Sequence, residues 1–141
     1  MRYGTRAMLE LALRYDQGPV SVREIAECQK LPVKYLEQVL TTLQAAELVQ
    51  SVRGPKGGYR LVGPPRSISL RRIYEVLEGK EGFVQCTGDP AVCQRAPTCA
   101  TQEVWAFLYQ TCANALESIS LADLGERARL KQAPDAIDYA I

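Results

Sequence analysis

The stretch Val49-Gln50-Ser51-Val52-Arg53-Gly54-Pro55-Lys56-Gly57-Gly58-Tyr59-Arg60-Leu61-Val62 decides the fold. Residues 49–52 and 59–62 read as two short strands, and the glycine-rich run between them as the turn of a β-hairpin. Its tip is basic. Glycines there let the backbone approach a phosphate closely, or let an arginine enter a narrow groove, so Arg53 and Lys56 are candidate nucleic-acid contacts. On its own the segment is also an ordinary exposed hairpin whose glycines satisfy turn geometry. What precedes it decides between the two.

Immediately upstream, Leu36, Val39, Leu40 and Leu43 recur at helical spacing and form one buried stripe, with Pro32 suited to the first helical position. The opposite face carries Lys34, Glu37, Gln38 and Thr41 at the same i, i+3, i+4, i+7 interval, and is polar and exposed. Before it, Ser21-Val22-Arg23-Glu24 is a capping-box start for a short helix through Ile25, Ala26 and Cys28. Residues 5–15 are good helix formers stopped by Asp16-Gln17-Gly18-Pro19. A helix, a short helix, a tight turn and a helix with one hydrogen-bonding face make a helix-turn-helix, whose last helix enters the major groove. The plainer alternative is a three-helix bundle with a solvated face; the hairpin that follows, read as a wing, favours the first.

Downstream, Gly63-Pro64-Pro65 breaks the chain, and the charge changes sign across it. Residues 1–66 hold ten basic and six acidic side chains, and residues 67–141 seven and ten. A basic N-terminal half suits a polyanion such as double-stranded DNA. Leu70, Ile73, Tyr74 and Leu77 mark one amphipathic helix. From Thr98 onward Val104, Leu108, Cys112, Ala115 and Ile119, widened by Trp105, Tyr109 and Leu116, mark a longer one. That apolar stripe exceeds what a small monomer buries, so the long helix reads as a dimerisation helix of a homodimer. Residues 127–141 show little apolar periodicity and read as a mobile tail.

Between those helices lies Cys86-x6-Cys93-x5-Cys99, in a loop rich in glycine and proline. Thiolates converging from such a loop suit an iron-sulfur cluster; zinc with a fourth ligand and an unligated thiol loop remain open on spacing alone. Cys28 and Cys112 fall on helix faces expected to be buried, as packing residues.

The chain of 141 residues has 17 Lys+Arg, 16 Asp+Glu and no His. The missing His excludes Ser-His-Asp triads, Cys-His pairs and every His-bearing zinc site, and an enzyme is not expected. No stretch approaches the roughly 18 apolar residues of a membrane helix, and the N-terminus lacks the apolar run of a signal peptide, so a cytoplasmic location is expected. The overall expectation is mainly α with a small β-hairpin. A winged helix-turn-helix domain spans 1–66, and a linker helix, cysteine loop and dimerisation helix span 67–126.

The runs Lys34-Tyr35-Leu36-Glu37-Gln38-Val39-Leu40 and Ser51-Val52-Arg53-Gly54-Pro55-Lys56-Gly57-Gly58-Tyr59-Arg60-Leu61 closely resemble the Rrf2 family of bacterial winged-helix regulators. That family includes the iron-sulfur cluster assembly regulator (IscR) and the nitric-oxide-sensitive repressor (NsrR). The resemblance runs from Arg2 to about Leu124. It implies a dimeric transcription factor with Glu37 and Gln38 at base edges, Arg53 in the minor groove, and a [2Fe-2S] or [4Fe-4S] cluster on Cys86, Cys93 and Cys99. The chain departs from the family at the fourth ligand. Gln102 stands where the assembly regulator has a histidine, and Arg2 where the nitric-oxide sensor has an acidic residue. Glu103, then Glu10 from the partner's first helix, then Asp89 are the expected substitutes. An iron-free regulator acting through thiol oxidation, zinc or a protein partner is the alternative.

Overall fold

The computed structural model describes residues 1–133. Three helices come first, α1 (Arg2–Leu13), α2 (Val22–Gln29) and α3 (Val33–Ala45), followed by strands β1 (Val49–Val52) and β2 (Gly58–Leu61). The strands pair antiparallel, Val49 opposite Leu61 and Val52 opposite Gly58, forming the expected hairpin. Then come α4 (Leu70–Glu78), a loop of three one-turn 3-10 helices, α5 (Ala100–Glu117) and α6 (Leu121–Gln132). No described helix is long and apolar enough to cross a membrane.

The capping box forms at α2 as expected: the Glu24 amide donates to the Ser21 hydroxyl and the Ser21 amide to the Glu24 carboxylate. In α3 the four expected stripe residues, Leu36, Val39, Leu40 and Leu43, are the buried ones. They join Met8 and Leu11 of α1, Ile25 of α2, Val49, Leu61, Ile73 of α4 and Leu121 of α6 in one core. One tie was not foreseen. Val20, just before α2, pairs with Tyr59 of β2: its amide donates to the Tyr59 carbonyl at 2.9 Å and its carbonyl accepts from the Tyr59 amide at 2.8 Å. The wing is therefore anchored to the segment that launches α2.

Three expectations are corrected. The long helix ends at Glu117, and a second capping box, Ser120 with Asp123, starts α6. Main-chain bonds fix that junction to the start of α4, from the Leu70 amide to the Ile119 carbonyl at 2.9 Å and from the Leu121 amide to the Ile68 carbonyl at 2.8 Å. Residues 127–132, expected in a tail, are helical because α6 lays Leu121 and Gly125 against the body, with α1 as its main neighbour. The rest of that tail, 134–141, lies outside the described residues. Finally, Cys28 and Cys112 are exposed rather than buried: Cys28 faces outward beside the Arg14 guanidinium at 3.1 Å, and Cys112 lies at the rim of the apolar cleft between α4 and α5.

Both capping carboxylates titrate below the ordinary range. Glu24 is held there by the Ser21 amide and hydroxyl, and Asp123 by the Ser120 hydroxyl and then its amide. A depressed folded-state pKa adds stability above the unfolded value and loses it as pH falls through the folded one. Ser120→Ala is expected to lower Tm at pH 7, and the gap to wild type should narrow below the usual carboxylate range. Melts from pH 7 to 3 check this; a gap that stays constant would remove Asp123 from the account.

Candidate nucleic-acid interface and cysteine loop

Helix α3 opens at Pro32, whose extended ψ of 124° turns the chain out of the α2–α3 corner, while Lys30 takes a left-handed φ of 52° to end α2. Lys34, Glu37, Gln38 and Thr41 are all exposed on one face, as the spacing required. The Thr41 hydroxyl donates to the Glu37 carbonyl at 2.9 Å, which orients its methyl and leaves an oxygen lone pair outward. At the C-terminal end Gln44 donates to the Ser51 hydroxyl at 3.3 Å, tying α3 to β1 and setting the angle between helix and wing.

In the wing the Gly57 amide donates to the Gly54 carbonyl at 3.0 Å, closing the tip, and Gly54 sits at φ +116° where a side chain would be strained. Arg53 and Lys56 flank that turn, both exposed. α3 and the wing thus present separate polar surfaces, one with hydrogen-bonding side chains along a helix face, the other with cations on a thin glycine-rich strip. Two further exposed residues carry no individual role in the sequence reading. Arg23 borders the crevice between α2 and the start of α3. Tyr35 packs edge-on against Tyr3 at 5.3 Å between ring centres. Arg23 could have been found as a cation in the first turn of the helix preceding the recognition helix; the Tyr35 contact has no local signal.

In the loop after α4, Cys86 lies within the first one-turn helix, Cys93 just after the second and Cys99 between the third and α5, all half-buried. The Gln102 carboxamide donates to the Cys86 carbonyl at 3.3 Å and so pins the loop's first turn to α5. The Cys99 sulfur lies 3.1 Å from the Thr101 hydroxyl. That hydroxyl, then the Gln102 amide, pulls the Cys99 thiol below its ordinary pKa, and the nearby Arg95 charge adds to the effect. Among the described residues no three Cys, Asp or Glu side chains approach closely enough to hold one metal ion.

Three half-buried thiols on one irregular loop fit an iron-sulfur cluster in donor chemistry, and closing them on it requires movement of the short turns rather than of a helix. Of the three expected fourth ligands, Glu103 is exposed on the first turn of α5. Asp89 caps its own turn by accepting from the Ala91 amide at 3.0 Å. Glu10 is corrected outright: it is 6% exposed and its two carboxylate oxygens accept from Arg14 and Gln29 at 2.8 Å each, so it points into the body.

A basic glycine-tipped wing beside an exposed recognition helix, both hung on one three-helix core, defines a winged-helix transcriptional regulator. The chain belongs to the Rrf2 family, whose model, described as an iron-dependent transcriptional regulator, matches residues 1–127. It is 45% identical over 132 residues to slr0846 of Synechocystis sp., named as a candidate HTH-type transcriptional regulator, covering 93% of this chain and 88% of that one. Among solved structures it is similar to T. potens IscR, with TM-score 0.77 and 38% identity over 94% of this chain and 88% of that one. It is similar also to CymR, the global cysteine regulator of B. subtilis, with TM-score 0.74 and 36% identity over 89% of this chain and 92% of that one.

Proposed function

We propose that the protein is a homodimeric, sequence-specific DNA-binding regulator whose cysteine loop holds an iron-sulfur cluster and reports iron-sulfur, redox or nitric oxide status. The carrying observation is the placement of Cys86, Cys93 and Cys99 on a loop docked directly against the long, largely unpartnered helix α5. Lys34, Glu37, Gln38 and Thr41 read base edges in the major groove, while Arg53 reaches a minor groove and Lys56 a phosphate. Glu37 accepts from cytosine amino groups and repels guanine acceptors, so it discriminates among operators. When bound, the cluster supplies a redox-active, acid-labile centre; Cys86, Cys93 and Cys99 hold it, with Glu103 the nearest acidic residue on α5. The loop transmits its arrangement through Gln102 and through Phe83, which packs edge-on against Tyr109 of α5 at 6.2 Å.

Anaerobic purification followed by iron, acid-labile sulfide and zinc analysis, on wild type beside Cys93→Ala, tests the sensor. Iron and sulfide near stoichiometry in wild type and lost in the variant support it; colourless protein overturns it. A second reading is a regulator without iron that works through its thiols, zinc or a protein partner, and its thiol form is favoured by the Cys99 sulfur 3.1 Å from the Thr101 hydroxyl, with its pKa lowered. For DNA, duplexes selected from random sequence provide the probe. Arg53→Ala is expected to weaken binding by about 1 to 3 kcal/mol at matched salt. An unchanged affinity would take Arg53 out of the interface.

A further inference from the structure

The corner between α2 and α3 leaves a shallow crevice lined by Ala26 and Leu31, both buried, by Val33, and by the charged pair Arg23 and Glu27. Val33 is the first residue of α3 and is 41% exposed. The start of that helix is built against its own stability. Pro32 supplies no side-chain cap, no acidic residue stands in the first turn, and Lys34 puts a cation where the helix dipole disfavours one. Residues at this end are the ones a recognition helix brings nearest to base edges. An apolar side chain and a cation, exposed side by side, suit a surface that offers both methyl groups and hydrogen-bond acceptors, as the major groove does.

We propose that this crevice is a thymine-methyl notch: Val33, beside Ala26 and Leu31, receives the C5-methyl of one thymine in each half-site, and Arg23 holds a phosphate next to it. This rests on the DNA-binding reading above and adds a base that the polar face of α3 does not specify. Thymine alone among the four bases carries a methyl on its major-groove edge, so an apolar notch there discriminates without a hydrogen bond. Val33 is β-branched and loses little rotamer freedom in presenting its two methyls. The charged pair sorts what enters. The Glu27 carboxylate repels phosphate oxygens from the crevice, so the group that fits is uncharged, while Arg23, one turn earlier on α2, is in no ion pair among the described residues and is free to take the backbone beside it. Position fixes the base. Val33 and Glu37 are i and i+4 on one flank of α3, about 5.4 Å apart along its axis. With base pairs about 3.4 Å apart, the thymine falls within about two base pairs of the cytosine that Glu37 takes.

Duplexes selected from random sequence with the purified full chain supply the probe, and deoxyuridine in place of each thymine in turn removes one methyl and nothing else. Affinity is read by fluorescence anisotropy at fixed salt. One thymine per half-site, close to the cytosine whose preference disappears in Glu37→Ala, should lose about fourfold on conversion to deoxyuridine, the worth of one buried methyl. Val33→Ala trims an exposed side chain at no cost in helix propensity, so it should fold as wild type, bind more weakly, and be indifferent to that same conversion. Arg23→Gln should weaken binding to every duplex alike and flatten the salt dependence while keeping the thymine preference. Selected duplexes that no conversion weakens overturn the notch and leave the DNA reading standing. A methyl effect that persists in Val33→Ala gives the thymine to another residue and overturns the notch equally. Recovery of no specific duplex removes the DNA reading and the notch together.

Discussion

Gly58→Ala is expected to destabilise the protein by about 3 kcal/mol and to abolish specific DNA binding at salt where wild type binds, the effect of a forced backbone rearrangement at a special position. Gly58 begins β2 at φ +157°, directly beside the main chain that leads into α2. A Cβ built there overlaps the Val20 carbonyl and lies 2.7 Å from the Ser21 amide nitrogen. Both obstacles are backbone, so neither can swing aside as a side-chain tip would. The Val20–Tyr59 bridge must open, and with it goes the contact that holds the wing against the start of α2. Gly54→Ala is the matched control. It has φ +116° but nothing within 4 Å of a new Cβ, so it carries conformational strain alone, about 1 kcal/mol. Chemical denaturation and anisotropy titration of both variants test this ordering. Equal stability of Gly58→Ala and wild type would mean that the bridge does not form in solution.

That bridge shows where reading the chain succeeds and where it stops. α3 was legible because Leu36, Val39, Leu40 and Leu43 repeat at one period while Lys34, Glu37, Gln38 and Thr41 repeat at the same period out of phase. Both faces of one helix are local information. The hairpin was legible because its turn residues and flanking strands lie within fourteen consecutive positions. The Val20–Tyr59 pairing joins residues far apart in sequence, and no periodicity announces it. Cys112 was misread for a related reason. Spacing places it on an apolar stripe, but whether that stripe meets its own domain or a second subunit depends on packing. Cys28 sits at the edge of its helix's buried face, and a short helix offers too few turns to locate that edge. α6 had a local signal in Ser120-Leu121-Ala122-Asp123, the same capping pattern that marks α2, but its polar composition concealed it. For the cysteines, spacing permits convergence without dictating it: three one-turn helices intervene, and their turns set where each sulfur points.

Glu10→Ala is expected to cost about 2 to 3 kcal/mol and, under the proposed cluster, to leave iron content per folded monomer unchanged. The side chain is the sole buried charged group among the described residues, and it joins α1 to α2: Arg14, the residue that caps the end of α1, donates to one oxygen and Gln29 of α2 to the other, both at 2.8 Å. Gln29 also bonds the Arg6 guanidinium through its side-chain oxygen at 3.3 Å and its main-chain carbonyl. Truncating a buried charge partner costs roughly 3 to 5 kcal/mol when the remaining charge stays dry. Here the Arg14 side chain is 29% exposed and can regain water, which lowers the expected loss. Glu10→Gln keeps the shape and one acceptor, so it should cost about half as much or less. The pair of variants also settles the role assigned to this residue by analogy with a ligand from a partner's first helix. If Glu10 held iron, Glu10→Gln would lose metal with little loss of stability. With a structural carboxylate the order reverses, because what fails first is the docking of α2, and through α2 the placement of α3 on DNA.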